Sequence, residues 1–479
     1  MAKEKEFVKD IADIHENFPQ WYTDVVLKTQ LADYGPVKGT MVIRPYGYAI
    51  WELIQSEMDK RFKETGHENA YFPLLIPYSY LLKEAEHVEG FAPEVATVTK
   101  AGQTDLPEPL VIRPTSETII CEMYSKWVES YRDLPMLINQ WANVVRWEKT
   151  TRPFLRTSEF LWQEGHTLHA TAEEAEEETL KMLHVYEEFA RNVLAIPMFM
   201  GKKSEKEKFA GAQATYSIEA MMQDGKSLQS GTTHFFGTNF SAAFDIKFLD
   251  KDGKLKNPYQ TSWGTSTRMI GAIIMTHGDS RGLCLPPRVA PIQAVIIPVA
   301  MHKDGVLDKC AEIYNSLKKD FRIKYDDRDY SPGWKFNEYE MKGVPVRIEI
   351  GPRDIENGVA TVARRDIEGG AKVQIPLNEL GSSLQTLLDD IHSNMYNKAL
   401  AFRDSHIKNV NNMDELKAAV DGGNFALGMW CGDRACEDKI KEVTGASTRN
   451  MPFDQTPCGD KCVCCGKKAT KKIYFGKAY

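Results

Sequence analysis

The sequence predicts a mixed α and β protein in three parts: an α+β domain, a small α/β domain and a segment rich in cysteine. Up to about residue 285, short β-rich runs mix with amphipathic helices. From Ala294 onward the order is strand, helix, strand, helix, strand, which indicates a small α/β unit with a mostly parallel sheet. Six of the nine cysteines fall in the last tenth of the chain.

The composition is that of a globular protein with a full hydrophobic core. A length of 479 residues suits about three domains, and 42% of the residues are hydrophobic. The net charge of −7 argues against indiscriminate coating of nucleic acid but allows a local basic face. The charged start "MAKEKEFVKD" is no secretory signal, and the apolar runs are far below the roughly 18 residues of a membrane span. We expect a soluble, cytoplasmic protein with no membrane partner.

Three local patterns predict elements of the first part. A capping box, Thr171 with Glu174, begins one helix. "AAFDIKFLD" followed by "KDGK" predicts a strand that runs into a turn. Another helix, which Gly66 can end, has apolar residues on one face: Ile50, Leu53, Ile54, Met58 and Phe62.

The second part begins with a strand at Ala294. We expect a helix over 306–320, a strand in "RIKYDD", a helix at about 333–341 and a strand in "VPVRIEI". The unit closes near Leu380. Residues 385–479 then combine a long helix with the cysteine-rich tail.

The stretch "RWEKTTRPFLRTSEF" carries two arginines ten positions apart, Arg146 and Arg156, with Glu148 and Phe154 between them. One interpretation is an exposed hairpin whose charges are solvated. The other is a clamp for polyphosphate, because the planar guanidinium matches phosphate and carboxylate oxygens and stays charged.

Three further stretches could carry chemistry. In "RPTSET", Thr115 or Ser116 could cap a helix, or the hydroxyls could act with Glu117. In "QSGTTHFFGTNF", His234 follows two threonines, and a lone histidine is more often structural. In "SWGTSTRMIG", Arg268 enters an apolar helix and needs a partner, for which a bound anion is one candidate.

The cysteines form two short clips, Cys431-x4-Cys436 and Cys462-x2-Cys465. Four thiolates in two clips are typical of structural Zn²⁺. Cys458 or Cys464 could replace a neighbour in the ligand set. Reduced free thiols or a redox pair are the alternatives.

Together these stretches resemble a class II aminoacyl-tRNA synthetase, specifically a prolyl-tRNA synthetase of the archaeal and eukaryotic type, from about residue 7 to the last. "GTMVIRPYGYAIWE" looks like motif 1, with Pro45 near a dimer interface. "NVVRWEKTTRPFLRTSEF" looks like motif 2, and "STRMIG" looks like motif 3. "RPTSET", "FLWQEGH", the GTTH stretch, the C-terminal cysteines and the ending "YFGKAY" are similar to the prolyl family in particular.

The resemblance implies a fold, an activity and partners. It implies an α+β catalytic domain with an antiparallel sheet (1–287), an α/β anticodon-binding domain (288–382) and a small α/β zinc-binding domain (383–479). The implied enzyme is a homodimer that activates L-proline with ATP and Mg²⁺ and charges proline tRNA. The interval from His166 to Gly264 leaves no room for an editing domain. The chain end, Tyr479, is expected to fold back toward the catalytic domain.

The resemblance also implies roles for the residues of motifs 2 and 3. Arg146 would hold the substrate carboxylate and the ATP α-phosphate. Phe154 and Arg268 would stack on the two sides of adenine. Glu148 would lie near the adenine edge or the tRNA end, and Arg156 would reach the γ-phosphate.

Proline recognition and the remaining ATP contacts are implied in the same way. Thr115 and Glu117 would bind the secondary ammonium, and the pocket for the ring would be formed by Trp162, Phe209 and His234. Three other positions match residues that bind ATP: Gln229, Thr232 and Ser266.

The anticodon would be read at the end of the strand "VRIEI", by Arg347, Glu349, Arg353 and Asp354, because guanine edges suit arginine forks and acidic groups. A salt-bridged strand end is the alternative. Two other functions stay open: another class IIa synthetase, and a regulator that binds tRNA without activating an amino acid. Regulators tend to lose the phosphate-binding arginines, which are present here.

Overall fold

The structure, a computed structural model, describes residues 11–87 and 94–479. Within these ranges the chain forms three parts, each with its own sheet and hydrophobic core. No helix among the described residues combines the length and apolarity that crossing a bilayer would require.

The first part is the largest. Its helices are α1 (Phe18–Lys28), α2 (Pro45–Glu64), α3 (Tyr78–His87), α4 (Glu117–Trp127), a 3₁₀ turn (Tyr131–Asp133), α5 (Ala172–Asn192), α6 (Asn239–Ala243) and α7 (Arg268–His277). Its strands are β1 (Ala32–Tyr34), β2 (Met41–Ile43), β3 (Glu68–Asn69), β4 (Leu75–Pro77), β5 (Thr97–Ala101), β6 (Thr104–Ile112), β7 (Met136–Val145), β8 (Glu159–His169), β9 (Phe199–Lys202), β10 (Ala214–Met221), β11 (Ser227–Gly237), β12 (Phe248–Leu249), β13 (Leu255–Lys256) and β14 (Tyr259–Ser266).

An eight-stranded sheet organises this part, in the order Met451–Pro452, β9, β10, β11, β14, β8, β7, β3. Every neighbouring pair is antiparallel except β3 with β7, and the edge strand Met451–Pro452 comes from the C-terminal part. The antiparallel sheet expected for this part is therefore confirmed. All of residues 166–264 are described, and they form strands of this sheet, α5, α6 and a small hairpin, with no inserted domain.

The two faces of the large sheet differ because side chains alternate along each strand. On one face α5 packs across the strands, with Tyr186 against Trp263 at 6.3 Å between ring centroids. On the other face, Glu164 of β8 lies opposite Gly264 of β14, which lies opposite Thr232 of β11. This second face carries the polar residues that form the site described below.

Most local predictions for this part are confirmed. The apolar face of α2 is buried, and the Thr171 side chain accepts a hydrogen bond from the Glu174 amide in a capping box that begins α5. The strand expected in "AAFDIKFLD" is largely wrong. It reduces to Phe248–Leu249, because Phe240 and Phe244, four positions apart, are buried on one helical turn instead.

The second part contains β15 (Ala294–Pro298), α8 (Val306–Leu317), β16 (Ile323–Tyr325), α9 (Pro332–Met341), β17 (Val346–Ile350), α10 (Pro352–Asn357), β18 (Val359–Arg364), β19 (Lys372–Pro376) and a 3₁₀ turn (Leu377–Glu379). Strands β16, β15 and β17 are parallel, as expected, but β18 and β19 add antiparallel pairs. The sheet is therefore mixed rather than mostly parallel. A parallel crossover needs a dozen or more residues, and the return through α10 and Gly358 is shorter than that.

The C-terminal part contains α11 (Leu380–Ser405), β20 (Ile407–Val410), α12 (Met413–Asp421), β21 (Phe425–Trp430), α13 (Arg434–Thr444), β22 (Ser447–Thr448), β23 (Met451–Pro452) and β24 (Lys471–Gly476). Strands β20, β21, β24 and β22 form its sheet. The expected domain limit at 382/383 falls inside α11. The buried face of this helix, which includes Leu388 and Met395, belongs to the core of the second part.

Candidate active site

A cavity of about 270 Å³ opens on the polar face of the large sheet. Ten residues proposed from the sequence line it together: Thr115, Glu117, Arg146, Trp162, Phe209, Gln229, Thr232, His234, Ser266 and Arg268. Three others, Glu148, Phe154 and Arg156, do not line it. Residues as far apart in the sequence as Thr115 and Arg268 therefore share one site.

One end of the cavity is formed where α4 begins. Ser116 occupies the N-cap position, but its hydroxyl donates to Glu164 Oε1 at 2.5 Å and makes no capping bond. The Thr115 hydroxyl donates to the carboxylate of Glu117. The helix-capping interpretation is therefore wrong for both hydroxyls. They organise two buried carboxylates at the cavity wall.

Glu164 and His166 form a buried ion pair beside this end, with 3.0 Å between Oε2 and Nε2. Burial alone would raise the pKa of Glu164, but its hydrogen bond to His166 and the charge of that ring lower it overall. Burial likewise opposes protonation of His166, and Glu164 outweighs it and raises the pKa of the imidazole. The pair fixes charge at the edge of the cavity because each group offsets the charge of the other.

Arg146 is held in a fixed orientation. Its Nε donates to the Pro114 carbonyl at 2.9 Å, and its guanidinium carbon lies 5.6 Å and 5.4 Å from the ring centroids of Phe160 and Trp162. Burial lowers its pKa, while the carboxylates, chiefly Glu117, act in the opposite direction. A guanidinium held this way presents its remaining N–H groups to an anion at little further entropic cost.

Arg268, the first residue of α7, lies nearby without a carboxylate partner among the described residues. Its Nε donates to the Leu155 carbonyl and its Nη1 to the Gln229 carbonyl, both at 3.1 Å. Burial lowers its pKa to about 10, and repulsion from Arg156 and Arg146 adds to this effect. The positive charges of Arg146 and Arg156 near Arg268 make this part of the site favourable for a polyanion.

The aromatic residue of motif 2 that lines the cavity is Phe160 and not the expected Phe154. Phe154 is 3% exposed, has a φ of +60° and belongs to the buried core of the first part. Phe160 lines the cavity instead. The reason is the alternation along β8, which directs Phe160, Trp162, Glu164 and His166 to the same face.

Glu148 and Arg156 lie beside the cavity rather than in its wall. Their side chains are partly exposed, with 3.7 Å between Glu148 Oε2 and Arg156 Nη1. This arrangement matches the solvated-hairpin interpretation for these two charges. Arg156 nevertheless lies close enough to lower the pKa of Arg268.

Another part of the cavity wall is less polar. The Phe209 ring packs against His234 at 4.8 Å, and His234 Nδ1 lies 3.0 Å from the Thr215 hydroxyl. Burial, assisted by the charge of His166, lowers the pKa of His234 to about 3. His234 is therefore neutral at physiological pH and forms a wall that adds no charge.

Several residues of the cavity wall were missed by sequence reasoning: Phe160, Glu164, His166, Lys203, Glu207 and Thr215. Three of them lie in "EFLWQEGH", where reading alternate positions from Trp162 would have found them. Lys203 and Glu207 lie in a charged loop whose pattern, "KKSEKEK", is that of a solvated surface. No local signal distinguishes them.

The four expected cysteines lie close together at the end of the C-terminal part. The Sγ atoms of Cys431, Cys436, Cys462 and Cys465 are all within 4.8 Å of one another. Tetrahedral Zn²⁺ with Zn–S bonds of about 2.3 Å requires sulfurs roughly 3.8 Å apart. The measured separations of 3.6 Å (Cys431 to Cys436) and 3.9 Å (Cys431 to Cys465) fit that geometry. Cys458 and Cys464 lie outside the group.

The residues proposed for the anticodon lie at the end of β17 and in α10. Arg347 Nε donates to Glu349 Oε1 at 3.0 Å, which is the salt-bridged strand end considered above. Asp354 accepts hydrogen bonds from the Gly351 amide and the Thr361 hydroxyl. Arg353 is exposed. Of the four, Arg353 is therefore the best placed to contact a partner.

The expectation for the chain end is confirmed. Tyr479 donates from its hydroxyl to Asp224 at 2.7 Å, and its amide donates to the Ser227 carbonyl. The last residues therefore dock against the strand that also carries Gln229 and His234.

An antiparallel sheet that presents arginines to a polar cavity, followed along the chain by a separate α/β domain, is the architecture of a class II aminoacyl-tRNA synthetase. Family models agree: residues 99–277 match the tRNA synthetase class II core domain (G, H, P, S and T), and 293–387 match an anticodon binding domain. Residues 413–479 match the prolyl-tRNA synthetase C-terminal domain.

Whole-chain comparisons narrow the class. The proline–tRNA ligase of Alkaliphilus oremlandii is 62% identical over 100% of this chain and 99% of its own, and proline–tRNA ligase 2 of Clostridioides difficile is 60% identical over the whole of both. A crystal structure of prolyl-tRNA synthetase from Cryptosporidium parvum, complexed with halofuginone and AMPPNP, superimposes with a TM-score of 0.94 at 42% identity, covering 98% of this chain and 99% of that one. The chain belongs to the prolyl-tRNA synthetase family.

Proposed function

We propose that this protein activates L-proline with ATP to form prolyl-adenylate and pyrophosphate, and then transfers proline to the 3′ end of proline tRNA. The observation that carries the proposal is the meeting of a buried carboxylate, Glu117, with two oriented guanidinium groups, Arg146 and Arg268, in one cavity. Such a cavity suits an amino acid at one end and a polyphosphate at the other.

The amino-acid end is proposed to bind proline through its three chemical groups. Glu117 and Thr115 take the secondary ammonium, and Arg146 takes the carboxylate. The less polar wall of Trp162, Phe209 and neutral His234 receives the ring. A neutral imidazole matters because a charged one would carry an unneeded desolvation cost next to an apolar ring.

The nucleotide end is proposed to bind ATP as its Mg²⁺ complex. Arg146 orients the α-phosphate toward the proline carboxylate, and Arg268 with Phe160 encloses the adenine. Gln229, Thr232 and Ser266 add polar contacts, while Glu148 and Arg156 act from the rim. Positioning and charge neutralisation supply the acceleration, because two anions must meet and no covalent nucleophile is needed.

The C-terminal cysteines are proposed to hold one structural Zn²⁺. Four thiolate ligands fill its coordination shell, so the ion takes no part in the chemistry. We further propose that the domains divide near residues 287/288 and 405/406. The second limit replaces 382/383, because α11 packs on the core of the second part.

The remaining proposals concern partners and location. The second part would read the anticodon of proline tRNA. The exposure of Arg353 supports a contact with the tRNA, whereas Arg347, Glu349 and Asp354 make contacts within the domain and would shape the end of the strand. A homodimer is supported by exposed apolar residues around β1, β2 and the start of α2, among them Tyr34 and Val42. The cytoplasm, where translation proceeds, is the proposed location.

Exchange of labelled pyrophosphate into ATP, measured across all amino acids, tests the function. We expect exchange with proline well above that with any other amino acid. A preference for a different amino acid would favour another class IIa synthetase. No exchange with any amino acid would favour a tRNA-binding regulator.

A further inference from the structure

The loop of residues 203–209, between β9 and β10, contributes three residues to the cavity wall: Lys203, Glu207 and Phe209. Phe209 is the ring that packs on His234 at the amino-acid end. The position of this loop therefore decides the shape of the pocket in which proline is proposed to bind.

The C-terminal part holds this loop in place. The Ser204 hydroxyl donates to Glu437 Oε1 at 2.8 Å, and the Thr448 hydroxyl donates to the same oxygen. Ser204, Glu437 and Thr448 are 1%, 3% and 0% exposed. At the surface beside them, Lys206 Nζ lies 2.6 Å from Asp438 Oδ1. Two consecutive acidic residues of α13 therefore anchor a loop more than two hundred positions away.

Burial of the Glu437 carboxylate carries a large desolvation cost. Among the described residues no lysine or arginine lies within salt-bridge distance of this carboxylate. At a purely structural contact, an apolar side chain would have a smaller desolvation cost. Glu437 lies in the first turn of α13, next to Cys436, one of the four clustered cysteines.

We infer that Glu437 is a positioning residue for amino-acid binding: through Ser204 it fixes the loop of residues 203–209 against the cavity. This inference rests on the proposed function. The C-terminal part thereby helps to form the proline pocket without touching the substrate.

The effect of Glu437 is selective for one substrate. The residues proposed for ATP lie on or beside β7, β8, β11 and β14 and at the start of α7, and none of them lies in the loop of residues 203–209. Loss of the Glu437 anchor should therefore weaken proline binding and leave ATP binding nearly unchanged. A general loss of stability would affect both.

The test compares Glu437→Ala, Glu437→Gln and, as the matched control, Glu442→Ala, which changes an exposed glutamate on the same helix. In pyrophosphate exchange, we expect the KM for proline to rise about tenfold or more in Glu437→Ala, the size of one buried charge-assisted hydrogen bond. The KM for ATP should stay within about twofold. Glu437→Gln keeps an acceptor oxygen and should restore most of the proline affinity, and Glu442→Ala should match the wild type.

Ser204→Ala provides a second, milder variant in case Glu437→Ala folds poorly. Because Ser204 also accepts a hydrogen bond from the Glu207 amide, the double variant with Glu437→Ala isolates the shared contact. Its effect on the KM for proline should be less than the product of the two single effects. Hydrogen–deuterium exchange over residues 203–209 should rise in Glu437→Ala while zinc content stays at the wild-type level.

An unchanged KM for proline in Glu437→Ala, or equal rises for proline and ATP, would overturn the inference. A wild-type protein that shows no proline-dependent exchange would instead refute the proposed function. In that case deuterium exchange over 203–209 still decides the positioning role: faster exchange in Glu437→Ala supports it, and unchanged exchange overturns it.

Discussion

Replacing Arg146 separates the contribution of its charge from that of its shape. Arg146→Lys keeps a positive charge in the cavity but removes the planar fork, the bond to the Pro114 carbonyl and the contacts with the Phe160 and Trp162 rings. Arg146→Ala removes the charge as well. It leaves Glu117 without the cation that offsets it, so this carboxylate would repel the carboxylate of an incoming amino acid.

The magnitudes follow from these contacts. Loss of one charge-assisted hydrogen bond costs about 1.5–3 kcal/mol, so we expect Arg146→Lys to lose about 10- to 100-fold in kcat/KM for proline. Loss of an oriented donor to developing charge costs about 10²–10³ in kcat, so Arg146→Ala should lose at least that much. The variants should unfold at the wild-type temperature within a few degrees, because Arg146 lines a cavity and not the core.

The assay is proline-dependent pyrophosphate exchange with separate titrations of proline and ATP. Arg132→Ala, at an exposed position outside the cavity, is the matched control and should behave as the wild type. Arg146→Ala with exchange within about fivefold of wild type would refute the assignment. Equal losses in the lysine and alanine variants would refute the separate contribution of charge.

Four other predictions follow from the structure. Phe160→Ala should raise the KM for ATP by a factor that corresponds to roughly 1–3 kcal/mol, the energy of one base–aromatic stack. Phe154→Leu should lower the free energy of unfolding by about 1 kcal/mol and leave the KM for ATP unchanged. The opposite pattern would show that Phe154, and not Phe160, contacts ATP. Cys465→Ser should lose the one zinc per chain found by elemental analysis of wild-type protein, and Cys458→Ser should retain it; zinc-free wild-type protein would contradict the site. The pKa of His234 is about 3 in the folded protein and about 6.5 in the unfolded chain, so between these values the unfolded chain takes up a proton that the folded protein does not. The free energy of unfolding should therefore fall as pH drops from 6.5 toward 3, by up to roughly 3 kcal/mol at pH 4. Urea unfolding should show a shallower decline in His234→Gln, and identical declines in the two proteins would argue against this. Finally, the protein should not hydrolyse alanine-charged proline tRNA, because residues 166–264 contain no second domain; rapid enzyme-dependent loss of the ester would reveal an editing site.

The sequence alone was sufficient to identify those residues whose role depends on residues close to them in the chain. Arg146 and Arg268 lie in short motifs, the Thr171–Glu174 capping box begins α5, and each cysteine clip sets the spacing of its own two thiols. These features depend on spacing over a few residues, which local backbone geometry converts directly into position.

Tertiary structure decided what local spacing leaves open. Phe154 and Phe160 are equally aromatic and six positions apart, and only the pairing of β8 in the sheet directs Phe160 to the cavity while Phe154 packs in the core. The Ser116 hydroxyl suits a helix cap by sequence, but the approach of Glu164 from another strand gives it a stronger, charged acceptor. The charged sequence of residues 203–209 predicts a solvated surface loop, but in the structure Glu437 of α13 accepts a hydrogen bond from Ser204 of this loop. Alternation with Trp162 places Phe160 on the same face of β8 as that residue, but strands distant in the sequence decide that this face lines the cavity. For Ser116 and for the loop the deciding partner is itself distant in the sequence, so a local pattern contains no information about it.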